Sequence, residues 1–474
     1  MVFIYFFFYA ADVQNLRNLK ILCLRDNYMS GSIEDILIMT GLCQLKDLVE
    51  LDISNNMFSG KLPECLSNLT NLRVLELSNN MFSGHFPSFT SNLTSLAYLS
   101  LYGNYMNGSF SLNTLANHSN LQVLYISSQS IEAHIETETT KWFPKFQLKS
   151  LIIRNCNLNM DKGSVIPTFL SYQYNLIQMD LSGNKLVGSF PSWLIRNHGM
   201  QYLDISNNRL SGLLPKDIGI LLPSVIYLDF SRNNFKGNIP SSIGKMEILE
   251  YLDFSNNHFS GELFKHLTKE CHSLKTLRLS NNFLRGTLED VLGNINTGLV
   301  MLHISNNSIS GTIPSSIGMF SNMQALLLGE NLLEGEIPIE ISNMSSLRIL
   351  DLSQNKLIGS IPYFSSLTSL SFLYLQKNDL SGSIPFELSR NSHLQLLDLR
   401  ENKLSGKIPN SMDKLSELRV LLLGGNNLEG GIPIQLCQLQ DIYIMDLSRN
   451  MLNASIPSCL QNLSFGIGHY NDYF

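Results

Sequence analysis

Tyrosine and aspartate recur at a near-constant spacing in the middle of the sequence. The tyrosines are Tyr202, Tyr227 and Tyr251, and each is followed two residues later by an aspartate, namely Asp204, Asp229 and Asp253. Tyrosine offers a large contact area with a polar tip, and carboxylates attract cations. If the chain winds once in about 24 residues, these side chains form two adjacent rows that could hold an extended, basic peptide. The alternative is that the aspartates are ordinary residues of a repeat.

Two other groups of side chains are candidates for binding on the same grounds. One is an N-terminal aromatic group, and the other is a mixed patch nearer the C-terminus. The aromatic group contains Tyr98, Tyr102, Tyr105 and Tyr125, and the mixed patch contains Phe372, Tyr374, Lys377, Arg400 and Glu401. For both groups the alternative is ordinary variation of surface residues.

Catalytic patterns are missing from the sequence. It contains no HExxH, GxSxG, CxxC or GxxxxGK[ST] pattern, and its ten histidines are scattered, with His303 alone at an outward strand position. The net charge of −6 provides no basic footprint for nucleic acid. We therefore expect no enzyme activity, no cofactor, no metal site and no nucleic-acid partner.

Four of the seven cysteines form two similar pairs. Cys43 and Cys65 are 22 residues apart, as are Cys437 and Cys459, and both pairs share the context LCQL…PxCL. Because 22 residues is nearly one turn of the repeat, the thiols of each pair should face each other on adjacent turns about 5 Å apart. The spacing predicts two disulfides, and the alternative is four buried thiols. Cys23, Cys156 and Cys271 are predicted to be free.

Eight N-x-S/T sequons are candidate glycosylation sites. They are Asn68, Asn92, Asn107, Asn117, Asn306, Asn343, Asn453 and Asn462. Their number is about what chance would produce. Their placement is more informative, because four of them lie 12 residues after the repeat's marker asparagine, on the predicted convex side.

These residues are positioned by an internal repeat with the frame LxxLxLxxNxLxGxIP. Clear copies span 347–362, 394–409 and 418–433, and the marker asparagine can be followed through 18 repeats, with Gln129 and Cys156 as its only replacements. LxL alternation predicts a short strand with one buried face. The asparagine amide should bond to backbone groups left unpaired at the turn. The glycine permits a positive φ, and Ile-Pro sets an extended exit.

The repeat organises nearly the whole chain. An apolar segment at 1–11 is a possible signal remnant, the solenoid spans 12–457 with irregular coils at 28–45 and 129–175, and 458–474 is an incomplete C-terminal end. No repeat can bury its leucines alone, so neighbouring repeats must supply the core.

The LxGxIP extension resembles the plant-specific leucine-rich repeat. Four longer stretches resemble plant receptor-like proteins, which lack a kinase: 111–121, 142–158, 170–193 and 432–466. The resemblance implies an α/β solenoid, a right-handed leucine-rich-repeat superhelix of about 18 repeats. Its short parallel strands would line the concave face, with loops and short helical turns on the convex face.

The same resemblance implies an extracellular module on the plasma membrane. Such a module would bind a peptide, protein or glycan signal in defence or development and would signal through receptor kinase co-receptors. The family's N-terminal cysteine cap and its C-terminal membrane helix are not recognisable here, which predicts a chain truncated at both ends. The alternatives are a soluble inhibitor of cell-wall hydrolases, like polygalacturonase-inhibiting proteins, or a non-functional truncated paralogue.

Overall fold

The computed structural model describes residues 18–39, 41–138, 142–262, 271–292, 298–364 and 366–463. The predicted signal remnant at 1–11 and residues 464–474 of the predicted C-terminal end lie outside these ranges. The chain divides into two compact units, Met1–Phe235 (unit 1) and Lys236–Phe474 (unit 2). Each unit is a stack of coils with the same three parts: a strand of a main sheet, a short strand of a second sheet, and a helical turn.

Every main-sheet strand is formed by the LxL segment of one repeat, and within each unit it pairs in parallel with the strand of the next repeat. In unit 1 these strands are Ile21–Cys23, Glu50–Asp52, Val74–Glu76, Tyr98–Ser100, Val123–Ser127, Ser150–Arg154, Gln178–Asp180, Tyr202–Asp204 and Tyr227–Asp229. In unit 2 they are Tyr251–Asp253, Thr276–Arg278, Met301–His303, Ala325–Leu327, Ile349–Asp351, Phe372–Tyr374, Leu396–Asp398, Val420–Leu422 and Ile444–Asp446. Leucines such as Leu203 and Leu350 are fully buried, which places the core behind this sheet.

The segment that follows the marker position, LxG in most repeats, forms a second set of short strands, which belong to three separate parallel sheets and are called second-sheet strands below. In unit 1 they are Ser30–Ser32, Met57–Gly60, Met81–His85, Tyr105–Ser111, Ala133–Glu136, Val187–Ser189 and Arg209–Gly212. The strand Asn234–Gly237 lies at the junction of the units. In unit 2 they are His258–Glu262, Phe283–Thr287, Ser308–Thr312, Leu332–Glu336, Lys356–Ile358, Ser381–Gly382, Lys403–Gly406, Asn427–Gly430 and Met451–Leu452.

A layer of short helices closes each coil, and most of them begin directly after the proline of the frame. The 3-10 helices of unit 1 are Leu42–Gln44, Glu64–Asn68, Ser88–Asn92, Leu112–Leu115, Met160–Lys162, Thr168–Tyr172 and Ser192–Arg196. Those of unit 2 are Ser241–Lys245, Ser315–Met319, Ile339–Asn343, Phe386–Arg390, Asn410–Lys414, Ile434–Gln438 and Ser458–Asn462. Short α-helices span Ile33–Met39, Ile218–Leu221 and Leu288–Leu292. Proline suits this position because its fixed φ sets the extended entry and its carbonyl accepts the first helical bond.

The marker asparagines do more than the sequence predicts. The Asn208 amide nitrogen donates to the carbonyls of Ile205 and Ser206 in its own coil and of Leu181 in the preceding coil, each at 3.0 Å. Its amide oxygen accepts from the N–H of Leu186 in the preceding coil at 2.8 Å. The predicted bonds within the turn are confirmed. The bonds between coils make each asparagine a link in a ladder.

Two backbone positions of each turn have positive φ. The glycine of the frame does so as predicted, for example Gly212 at 90°. The residue before the marker also does, as with Asn207 at 52° and Arg232 at 55°, which the sequence analysis did not predict. Asparagine tolerates this conformation best among residues with a side chain.

The repeat is most irregular where Gln129 replaces the marker asparagine. Gln129 is exposed, and the Ser128 hydroxyl takes its interior place by donating to the Met106 carbonyl at 2.5 Å. The extra residues that follow are packed, because Trp142 stacks on Phe169 with 5.2 Å between ring centroids. The Trp142 indole also donates to the carbonyl of Thr137 at 2.8 Å.

Both predicted disulfides are present. Cys43–Cys65 and Cys437–Cys459 join the helical turns of adjacent coils, with Cα–Cα distances of 5.6 and 5.7 Å. Within the described ranges, the free cysteines are Cys23, Cys156 and Cys271.

We expect the double substitution C43S/C65S to lower the free energy of unfolding by about 3 kcal/mol, because it releases a closed loop of 22 residues. Urea unfolding with and without reductant would measure this. The matched control is Cys271→Ser, which removes a free thiol and should abolish none of the sensitivity to reductant. Equal stability of the oxidised protein and C43S/C65S would contradict the prediction.

Candidate ligand-recognition face

The candidate site is the outward face of the main sheet. Side chains alternate across a strand, so the residues that flank each buried leucine point away from the core. Tyr202 and Asp204 flank Leu203 in this way, and the register places Tyr202 beside Tyr227 and Asp204 beside Asp229. Parallel pairing therefore turns a spacing in sequence into rows of side chains in space.

The tyrosines of unit 1 form a stack. The Tyr202 and Tyr227 rings lie 4.3 Å apart between centroids, with their planes within 7° of parallel. Burial, reinforced by the nearby Asp204 and Asp180 carboxylates, raises the pKa of Tyr202 to about 12. The Tyr227 hydroxyl donates to Asp229 at 3.3 Å. The Tyr202 ring thus remains neutral at physiological pH, and both tyrosines are half-buried.

Asp204 is a strongly perturbed carboxyl of this face. It is 5% exposed, and its Oδ1 accepts from the N–H of Ser206 at 2.9 Å. Burial, with the neighbouring Asp180 carboxylate as the second cause, raises the pKa of Asp204 to about 7. Two carboxylates on adjacent strands cannot both ionise cheaply in a low-dielectric setting.

The cation that holds these carboxylates is Arg154, which the sequence analysis missed. Its guanidinium bonds to Asp180, donates to Ser182 Oγ at 3.0 Å, and lies 3.6 Å from Asp204. It also donates to the Tyr102 hydroxyl at 3.3 Å. One signal could have revealed it: Arg154 occupies the outward position that holds serine in the next three repeats.

The N-terminal aromatic group is only partly on this face. Tyr98 and Tyr125 meet edge to face at 5.7 Å, the Tyr98 hydroxyl donates to Glu76, and the Tyr125 hydroxyl bonds to Ser150 at 2.9 Å. Tyr105 was wrongly grouped with them, because it follows the turn and begins a second-sheet strand.

The predicted residues of unit 2 lie further apart. Tyr251 and Asp253 occupy its first strand, where the Asp253 carboxylate lies 3.4 Å from Arg278 Nε. Phe372 and Tyr374 share one strand five coils later. Arg400 belongs to the next coil and bonds to Asp398 at 3.0 and 2.6 Å.

Three residues of the predicted mixed patch are not on the strands, and one of them, Arg400, comes two residues after the strand Leu396–Asp398. Lys377 and Glu401 sit at the turn position with positive φ, at 57° and 52°. They therefore lie beside the sheet face rather than on it.

An open depression of about 330 Å³ lies at the turn edge of the unit 1 face. Its lining residues include Arg154, Asp204 and Arg232, together with serines and asparagines of the turns. It is shallow and polar, so the face as a whole offers a contact surface.

The comparison with protein families gives one long match in unit 1 and several short matches in unit 2. A family model described as a leucine-rich repeat region matches residues 8–235. Single leucine-rich repeats match six segments between 249 and 439. Receptor-like protein 13 of Arabidopsis thaliana is 54% identical over 160 residues, which are 34% of this chain and 14% of that protein. The chain belongs to the leucine-rich-repeat proteins, and it is similar to plant receptor-like proteins over a small part of their length.

Solved structures agree with this assignment. A TDR receptor superimposes with a TM-score of 0.76 at 26% identity, over 96% of this chain and 84% of that one. The Arabidopsis receptor kinase HAESA, in complex with the peptide hormone IDA and the co-receptor SERK1, gives a TM-score of 0.71 at 27% identity. That match covers 95% of this chain and 82% of HAESA.

The sequons of this leucine-rich-repeat chain occupy different settings. Asn68, Asn92 and Asn343 are exposed at the ends of 3-10 helices, and Asn462 ends another such helix. Asn117 and Asn453 are exposed too. Asn107 accepts a bond from His85 at 2.9 Å, and Asn306 donates to Asn281 at 2.8 Å. Asn68, Asn92, Asn117, Asn343 and Asn453 are better placed for a glycan, because their exposed side chains form no hydrogen bond to a neighbouring coil among the described residues.

Within the ranges that the structure describes, no cluster of three or more His, Cys, Asp or Glu side chains could hold a metal ion. Over the same ranges, no helix has both the length and the apolar character needed to cross a bilayer.

Proposed function

We propose that this chain is the signal-reading segment of a receptor-like protein on the outer side of the plant plasma membrane. It binds an extended peptide across the main-sheet face and passes the signal to a receptor kinase partner. The observation that carries the proposal is the linked row of outward side chains in unit 1. Tyr202 and Tyr227 stack there, and Arg154 ties Asp180, Asp204 and Tyr102 together across strands.

Three features support a peptide as the ligand. The rows run from coil to coil, so a long, thin ligand can contact several of them at once. Tyrosine and arginine are the residues that most often dominate binding energy at interfaces. The structural relative HAESA is solved with a peptide hormone and a co-receptor.

The experiment is selection of a peptide library on the glycosylated chain secreted from plant cells. We expect Y202A/Y227A to lower the affinity for the selected peptide at least tenfold, because each ring supplies contact area at the centre of the row. The matched control is Tyr105→Ala, which removes a tyrosine from the second sheet. Titration calorimetry would measure both. If no peptide is selected, or if the control weakens binding equally, the proposal fails. Inhibition of a fungal polygalacturonase by the same protein would support the inhibitor function instead.

A further inference from the structure

Unit 2 carries an apolar row on its outward main-sheet face. The row occupies the first outward position of seven successive strands, and the strand register joins each member to the next. Its members are Met301, Ala325, Ile349, Phe372, Leu396, Val420 and Ile444. Ala325 and Leu396 are buried and the other five are half-buried.

This apolar row is not needed for the core of unit 2. The core lies on the other side of the strands, where Leu350, Leu373 and Leu421 are fully buried. The corresponding positions of unit 1 are mixed, with Glu50, Ser150 and Gln178 among them. A continuous apolar strip on an outward face costs solubility and marks a binding surface.

Carboxylates lie beside the apolar row on every second coil. The next outward position holds Asp351, Asp398 and Asp446, separated by Tyr374 and Leu422. Asp398 is neutralised by Arg400. Among the described residues, Asp351 and Asp446 accept bonds from the following serines but have no cation within ion-pair distance. Within the described ranges, the row therefore has two carboxylates along one edge that form no ion pair, and Arg400 and Arg449 act on Asp446 only at longer range.

The spacing of the carboxylates matches one peptide conformation. Adjacent strands lie about 4.8 Å apart, so carboxylates on alternate coils are about 9.6 Å apart. A polyproline II helix repeats every three residues, or about 9.3 Å. Every third side chain of such a peptide returns to the same face, in step with the aspartates. A fully extended strand repeats at about 6.7 Å and falls out of step.

We propose that the apolar row of unit 2, with Asp351 and Asp446, binds a polyproline II peptide that carries an apolar residue and a Lys or Arg at every third position. This inference rests on the proposed function, because it names the ligand class for the same face. The apolar residues pack on the row between Ile349 and Ile444. The cationic side chains reach the carboxylates of Asp351 and Asp446.

The test uses fluorescein-labelled peptides of four repeats of Leu-Pro-Lys, Leu-Pro-Glu or Leu-Gly-Lys, titrated against the secreted chain by fluorescence anisotropy. We expect Leu-Pro-Lys to bind at least tenfold more tightly than either of the others. The difference between Leu-Pro-Lys and Leu-Pro-Glu measures the contribution of the positive charge. The difference between Leu-Pro-Lys and Leu-Gly-Lys measures the contribution of the preformed polyproline II helix. The D351N/D446N variant should bring Leu-Pro-Lys within about twofold of Leu-Pro-Glu, because only these two charges distinguish the peptides. The I349S/V420S variant should weaken the binding of both the Leu-Pro-Lys and the Leu-Pro-Glu peptide.

The matched control is E334Q/E336Q, which removes two carboxylates from the second sheet of the same unit. It should leave Leu-Pro-Lys binding unchanged, and thermal melting should show that all variants are folded. Equal binding of the Lys and Glu peptides, or an equal loss in the control, would overturn the inference. If the peptide library described above still selects a peptide whose binding is weakened by Y202A/Y227A, the proposed function stands and only this further inference fails. If no peptide of any kind binds, both fail.

Discussion

Replacing Arg154 with alanine is expected to destabilise unit 1 by about 3–5 kcal/mol. The guanidinium is the cation of Asp180 and Asp204, whose side chains are only 2% and 6% exposed. Its removal leaves two buried carboxyls on adjacent strands without a counter-charge. Both tryptophans, Trp142 and Trp193, belong to unit 1, so tryptophan fluorescence in urea follows the unfolding of this unit.

The matched control for this substitution is Arg25→Ala. Arg25 pairs with Asp26 in the same unit, but both side chains are more than half exposed, at 57% and 62%. Exposed pairs contribute little because water screens them. If Arg154→Ala lowers the free energy of unfolding no more than Arg25→Ala does, the cluster of Arg154, Asp180 and Asp204 does not stabilise these strands.

The stability of unit 1 is expected to fall as the pH rises from about 4 to 7. Burial, followed by the Asp180 charge, raises the folded-state pKa of Asp204 to about 7, whereas an unfolded aspartate has a pKa of about 3.9. Between these values the folded state retains a proton that the unfolded state has lost, so each step up in pH favours unfolding. The full change is about 4 kcal/mol and is complete above the folded pKa.

Asp204→Asn should flatten this profile, since the amide cannot titrate. Urea midpoints at pH 4, 5.5 and 7.5 would measure it, with Asp217→Asn as a control that removes an exposed carboxyl from the same unit. An unchanged slope in Asp204→Asn would rule out Asp204 as the source of the pH dependence. Below pH 7 the Asp204 carboxyl is neutral, so the opposite charges of Arg154 and Asp180 balance each other on the outward face of the main sheet.

The repeat itself was readable from sequence because its determinants are local. The LxL strands, the glycine turns, the proline entries and the cysteine pairs each depend on residue types at fixed distances within one coil or between adjacent coils. Gln129, in place of the marker asparagine, also indicated a coil in which the asparagine ladder is interrupted and the Ser128 hydroxyl takes its place. The stacking of Tyr202 on Tyr227 followed from the same periodicity.

Ion pairs between side chains of different coils were decided only by the tertiary structure. The sequence placed Asp204 in a row but not beside Arg154, which comes 50 residues earlier and reaches across the intervening strand. The raised pKa of Asp204 follows from burial and from the Asp180 carboxylate on the neighbouring strand, and the repeat frame does not specify this combination. Likewise, the frame shows that Ile349 and Val420 point outward, but only the strand register joins them into one row with Asp351 and Asp446 beside it. The physical reason is that a repeat fixes the direction of a side chain, whereas its partners depend on which side chains the neighbouring coils bring within reach.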